Sequence, residues 1–222
     1  MNTYRFTLAG AVLEARPAGT LWWPAERLLC VADLHLGKAE RMARRGGALL
    51  PPYETRDTLA RLAAEVAATA PLQLVALGDS FDDLAAFDGL AAEARDALMT
   101  LAAGRRVVWI AGNHDPGPVD LPGSHLAELA LGPLTFRHIA LDGAAPGEVS
   151  GHFHPKARLG GTRRPCFVLD GRRAVLPAFG TYTGGLDCLD PDLRGLFGED
   201  ARAVLTGTRA IPVPLGAQRR PA

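Results

Sequence analysis

Carboxylate and imidazole side chains fall along this chain in short clusters: Asp33-Leu34-His35, Gly78-Asp79, Gly112-Asn113-His114-Asp115, a single His138, and Gly151-His152-Phe153-His154. Oxygen and nitrogen donors without thiolate suit manganese, iron or zinc. Two such cations held about 3.5–4 Å apart clamp a phosphoryl group and generate hydroxide near neutral pH. The chemistry this predicts is hydrolysis of a phosphate ester.

Each donor has a role that its type and spacing suggest. Asp79 is the candidate bridge, a carboxylate that offsets the repulsion between two cations. Asp33 and His35, one residue apart, can face a single ion where the chain leaves a strand in a turn, and would hold the first metal. Asn113 offers a neutral amide oxygen to the second metal without cancelling its charge. His152 and His154 flank Phe153, so that one reaches each metal, and His138 completes the second ion's shell. His114 follows Asn113 directly and reads as a non-ligand. It would hydrogen-bond the phosphate or protonate the leaving oxygen, with Asp115 as its orienting carboxylate.

Taken singly, these motifs say little. Asp and Gly are common wherever a strand passes into a loop, and His-x-His serves as a surface pair about as often as a metal site. Their ordered conjunction at successive strand ends is what carries the reading. His138 has one competitor outside the motifs, His125, which lies in a Gly-Ser-His-Leu stretch resembling a helix start. Asp82, Asp83 and Asp88 read as helix-start acids in a solvated loop.

The elements that must position these residues follow an α/β rhythm. Three apolar runs read as strands: residues 27–32 deliver Asp33 and His35, residues 72–77 deliver Asp79, and residues 106–111 deliver Asn113 and His114. Residues 53–69 and 85–103 carry Ala, Leu and Val at helical spacing and read as amphipathic helices over the sheet. From Leu134 onward, shorter strand-like runs between Gly and Pro predict a second sheet packed on the first. Residues 1–211 are expected to form a single domain and residues 212–222, with three prolines and two arginines, a loose tail.

The composition of the 222 residues, 48% hydrophobic with zero formal net charge, fits a globular core and excludes a protein basic enough overall to coat nucleic acid. Cys30, Cys166 and Cys188 make an odd number without metal-finger spacing and predict reduced thiols. Early charges at Arg5, Glu14 and Arg16 argue against a secretory leader, so a cytoplasmic location is expected. Any contact with DNA must be local. Lys156, Arg158, Arg163, Arg164, Arg172 and Arg173 stand against Asp170 alone after the His-x-His motif. Lys156, Arg163 and Arg164 are the candidate substrate contacts, with Tyr182 or Phe179 as a stacking face, although ordinary surface arginines explain the run equally well.

The series DxH, GD, GNHD, H and GHxH resembles the calcineurin-like metallophosphoesterases over nearly the whole chain. LGDSFDD and LPAFGTYTGGLD are similar to the ligase-associated DNA damage response endonucleases within that family, also called Lhr-associated phosphodiesterases. The resemblance implies a four-layer α/β/β/α sandwich with two packed mixed sheets, a binuclear site favouring manganese, and cleavage of single-stranded DNA. It implies one metal on Asp33, His35, Asp79 and His154, the other on Asp79, Asn113, His138 and His152, and His114 as the catalytic histidine. It also implies a functional link to a DNA ligase and a helicase. Relatives often carry His where this chain has Asp82. Other readings are a phosphomonoesterase or cyclic-nucleotide phosphodiesterase, and an inactive scaffold that would lack ligands this chain retains.

Overall fold

The computed structural model describes residues 2–47 and 49–218. The first half of the chain builds one sheet in strict sequence order: β1 (Tyr4–Leu8), β2 (Ala11–Ala15), β3 (Leu21–Trp23), β4 (Leu28–Val31), β5 (Gln73–Leu77), β6 (Arg106–Ile110) and β7 (Ser124–Leu126). β1 to β4 form an antiparallel meander, and β4 to β7 run parallel. Parallel neighbours need a crossover. α1 (Lys38–Arg44) and α2 (Glu54–Thr69) supply it after β4, and α3 (Leu84–Asp88) and α4 (Ala92–Ala102) after β5.

The second half builds the other sheet from β8 (Glu128–Leu131), β9 (Leu134–Arg137), β10 (Glu148–Ser150), β11 (Lys156–Leu159), β12 (Thr162–Leu169), β13 (Arg173–Val175), β14 (Arg202–Leu205) and β15 (Ile211–Pro214). Its order is β15-β14-β12-β13-β10-β9-β8, with β11 as a hairpin partner of β12.

Strand alternation sends side chains to opposite faces, so each sheet contributes to two layers of core. From β4, Leu28 and Cys30 join Val75, Phe136, Phe167 and Val204 between the two sheets. Leu29 and Val31 face the other way, with Leu74 and Trp109, against Leu59 and Leu62 of α2 and Leu98 and Leu101 of α4. The outer face of the second sheet packs Val168, Val175 and Leu205 against Leu193 and Phe197 around α5 (Pro191–Arg194). The architecture is two packed mixed sheets with helices. Its fourth layer is thin, because α5 is only four residues long.

Four local expectations are corrected. The single helix expected over 85–103 is two, separated around Gly89; Arg95 Nη2 donates to the carbonyls of Phe87 and Asp88 and closes the end of α3. His125 lies in β7, paired with Trp109 of β6, and does not start a helix. Of the tail expected over 212–222, residues 212–217 are not loose. β15 pairs with β14, placing its prolines on a sheet edge where a missing N–H costs no ladder bond, and Leu215 is buried; residues 219–222 lie outside the described residues. Asp82 is fully buried rather than solvated, whereas Asp83 does cap α3, accepting from Ala86 N at 2.8 Å.

Candidate metal centre

The turns that leave β4, β5, β6, β9 and β10 meet at one end of the two sheets, and the side chains named above converge there. Five of them hold a backbone conformation that L-residues rarely adopt. Asp33, His35, Asp79, His152 and His154 have φ of 53°, 44°, 45°, 69° and 47°. Such φ values cost on the order of 1–3 kcal/mol each and persist where surrounding structure enforces them. Here the chain turns sharply enough to bring alternate residues onto one point.

The glycines in the motifs make room for this convergence. A Cβ on Gly112 would lie 2.1 Å from Asp79 N and 2.2 Å from Asp79 Oδ1. One on Gly151 would lie 2.5 Å from Asp33 Oδ2. Both positions need glycine because a carboxylate occupies the space a side chain would fill.

Three groups of donors result among the described residues, each with atoms within 4.8 Å of one another: Asp33, His35 and His154 form the first, Asp79, His138 and His152 the second, and His35, Asp82 and His114 a third that shares His35 with the first. Asp79 Oδ2 stands between the first two, 3.9 Å from His35 Nε2 and 3.5 Å from His138 Nε2. Asn113 Oδ1 joins the second group, 2.9 Å from His138 Nε2. His152 N donates to both oxygens of Asp33, at 3.0 Å to Oδ2 and 3.3 Å to Oδ1, and His114 N to Asp79 Oδ1 at 2.9 Å, which orients both carboxylates.

The protonation pattern tests whether a cation fits. His138 Nδ1 lies 2.8 Å from Leu77 O, which can only accept, so Nδ1 carries the proton and neutral His138 presents an Nε2 lone pair. That lone pair faces Asn113 Oδ1, Asp79 Oδ2 and, at 3.3 Å, His152 Nδ1. His35 repeats the arrangement: Nδ1 is 2.8 Å from Asp82 Oδ1, and Nε2 is 3.4 Å from His154 Nε2. Acceptors crowded together repel, and a divalent cation among them converts repulsion into coordination. The residues fit divalent cations.

Without a cation, a proton on His138 Nε2 relieves the same crowding, and the titration of the cluster reflects that competition. Burial alone would raise the Asp79 pKa, but His138, the His114 amide and His35 hold it well below the usual carboxylate range. Burial lowers His138, yet the Asp79 and Asp33 carboxylates outweigh it and leave the ring more basic than usual. Burial, then the neighbouring His138, lowers His152 and favours its neutral form.

Asp82 was missed as a contributor. Its carboxylate fixes the His35 tautomer, and Arg41 Nη1 at 2.8 Å and Lys38 Nζ at 3.6 Å balance its charge. Burial would raise its pKa, but His35, Lys38 and Arg41 draw it down to about 2. A carboxylate behind a metal-facing histidine is a recurrent support for such sites. The signal lay in Gly-Lys-Ala-Glu-Arg just after the Asp-x-His motif, where two cations fall in the first turn of α1.

Asp115 does not orient His114. Its oxygens accept from the amides of Ser80 (2.8 Å), Phe81 (3.1 Å) and Gly112 (3.1 Å), tying two site loops together. Burial and, less strongly, the Asp79 charge push its carboxyl up to about 6 against those amides. The His114 ring is held by Asp82 O, 2.8 Å from Nδ1, which leaves Nε2 for a substrate.

The basic run after His154 is not one patch. Lys156 Nζ donates to Thr183 O at 3.2 Å and Arg163 Nη2 to Gly185 O at 3.1 Å, so both brace the 183–187 segment against His154. Arg164 turns to the opposite side of the hairpin and donates to Thr206 O. Arg172 binds Ala144 O, and Arg173 is buried beside Glu148. Phe179 is core, under the Arg61 guanidinium, while Tyr182 pairs with Tyr53, ring centroids 6.1 Å apart.

Residues 26–190 match the calcineurin-like phosphoesterase family, and the chain belongs to it. It is a metal-dependent hydrolase of phosphate esters. The crystal structure of the nuclease MPE from Pseudomonas putida is similar at 30% identity, with a TM-score of 0.75, over 96% of this chain and 100% of that one. YfcE, a phosphoesterase from E. coli, aligns at 15% identity and a TM-score of 0.40 over 85% of this chain and 98% of that one. No curated protein matches significantly.

Proposed function

We propose that this chain cleaves phosphodiester bonds within single-stranded DNA. The observation that carries the reading is His114, set beside a complete two-cation donor set with its Nδ1 satisfied, in a chain 30% identical over 96% of its length to a nuclease. The ligands are Asp33, His35, Asp79, Asn113, His138, His152 and His154. The cations they hold, manganese by preference for this oxygen and nitrogen set, would polarise the phosphoryl group and acidify the attacking water.

The chain's own residues do the rest. Asp79 and Asp33 are held by backbone amides, which fixes the carboxylates that would hold the ions. His114, with Nδ1–H given to Asp82 O, directs Nε2 at the departing oxygen and, when protonated, supplies its proton. The chain is read as one metallophosphoesterase unit acting in the cytoplasm in DNA repair, linked to a DNA ligase and a helicase by family resemblance. No described helix is long and apolar enough to cross a membrane.

The test is metal-stripped protein incubated with manganese and circular single-stranded DNA, with Asp79→Asn as the control for contaminating nuclease. Cleavage that needs both manganese and Asp79 supports an endonuclease, since a circle has no ends. An intact circle alongside rapid hydrolysis of nucleotide monoesters or cyclic nucleotides would replace this reading.

A further inference from the structure

We propose that Lys38 binds a second phosphate, one that flanks the group being hydrolysed; the inference rests on the polynucleotide reading above. α1 opens directly after the Asp33–His35 turn and carries Lys38, Arg41 and Arg44, with Arg45 just beyond it. Three of these four cations are committed to carboxylates. Arg41 Nη1 donates to Asp82 Oδ2 at 2.8 Å, Arg44 holds Glu40 and Asp83, and Arg45 holds Asp83.

Lys38 differs. Its ammonium lies 3.6 Å from Asp82 Oδ1, beyond hydrogen-bond reach, and that oxygen already accepts from His35. No acceptor among the described residues takes its three N–H donors, and its side chain is 21% exposed. The basic residues of the β11–β12 hairpin nearest the site, Lys156 and Arg163, are spent on carbonyls of the 183–187 segment.

The ammonium is also well placed. Asp82, its counter-ion, offers an oxygen within 4.8 Å of nitrogens of His35 and His114. Lys38 thus lies one residue behind His35 and His114, the groups read above as meeting the metal and the leaving oxygen, with its side chain partly exposed. A lysine is a mobile point charge that takes phosphate in varied poses, as a strand of any sequence requires. The fixed Asp82–Arg41 pair keeps it from collapsing onto His35, and one carboxylate between two cations leaves net positive charge for an anion. A monoester or a lone diester has no group to place there, but a chain phosphate or a terminal phosphate does.

The experiment compares kcat/KM for three thymidine substrates: TpT, which has a single phosphate, the 5′-phosphorylated pTpT, and the trinucleotide TpTpT. With manganese, wild-type protein should favour one or both of the latter by about tenfold, and Lys38→Met should bring that ratio close to one, with Lys38→Arg restoring it. A gain for pTpT alone makes the ligand a terminal phosphate; a gain for TpTpT makes it a chain phosphate. A ratio that Lys38→Met leaves intact overturns the proposal, as does an equal loss on all three substrates or the lack of any wild-type preference. Circular DNA left whole by a protein that keeps the ratio would sink the endonuclease reading alone.

Discussion

His35 Nδ1 lies 2.8 Å from Oδ1 of Asp82, a carboxylate with no exposed surface. The contact fixes which imidazole nitrogen faces the donor cluster and makes that nitrogen a better ligand. Arg41 and Lys38 supply the compensating charge, so the carboxylate stays ionised where burial alone would favour its neutral form. Replacing Asp82 by Asn removes the charge and keeps the shape. Manganese affinity, read by calorimetric titration of stripped protein, is expected to fall about 10–100-fold. An unchanged affinity would mean that Asp82 supports only the α1 cations.

Gly112 lies against the Asp79 backbone and carboxylate. A methyl group there meets Asp79 N at 2.1 Å and Asp115 Oδ1 at 2.6 Å, neither of which can retreat. Gly112→Ala should cost about 1–3 kcal/mol in urea unfolding and weaken metal binding along with it. Gly117→Ala, five residues on, would meet only Leu84 Cδ1 at 3.9 Å and should stay within about 0.5 kcal/mol of wild type. Equal effects at the two positions would remove close approach as the reason for Gly112.

The convergence of the candidate donors was legible because metal chemistry restricts residue type and because strands deliver them at turns. β4, β5 and β6 lie within a residue or so of the runs read from the sequence, since uninterrupted apolar stretches bounded by Arg, Gly or Asp leave little freedom. The support was not legible. Asp82 and Asp83 are adjacent and chemically identical, yet one is buried behind His35 and the other caps α3; only the turn after Asp79 separates their fates. The arginines after His154 looked like a patch because spacing along a chain hides the alternation of a hairpin, which sends Arg163 and Arg164 to opposite faces. β15 was hidden by prolines that an edge strand tolerates and a central strand does not.

Cys30, Cys166 and Cys188 are all free and fully buried. Burial raises the pKa of each, that of Cys188 to about 11. A raised thiol pKa means that the thiolate is scarce at pH 7–8 and becomes abundant only as pH climbs toward the folded value, so native reactivity should be low and should rise with pH. A chromogenic disulfide reagent should label none of the three within minutes at pH 7.5 and all three in denaturant. Rapid labelling of native protein would place at least one thiol in a segment that opens readily.

His114 and Asp115 are neighbours in sequence whose substitutions should read differently. His114 keeps Nε2 for the leaving oxygen, so His114→Ala is expected to lower kcat about 10²–10⁴-fold on DNA, whose alkoxide leaving group needs a proton. On a nitrophenyl ester the loss should be much smaller, because that phenolate departs without help. Asp115 holds the amides of Ser80, Phe81 and Gly112, and hydrogen bonds to a charged group contribute about 1.5–3 kcal/mol. Asp115→Asn should therefore lower the unfolding midpoint while rates across a series of aryl esters keep the wild-type dependence on leaving-group acidity. If Asp115→Asn steepened that dependence as His114→Ala does, the carboxylate would be acting through the imidazole, and Asp82 O would not be what holds the ring.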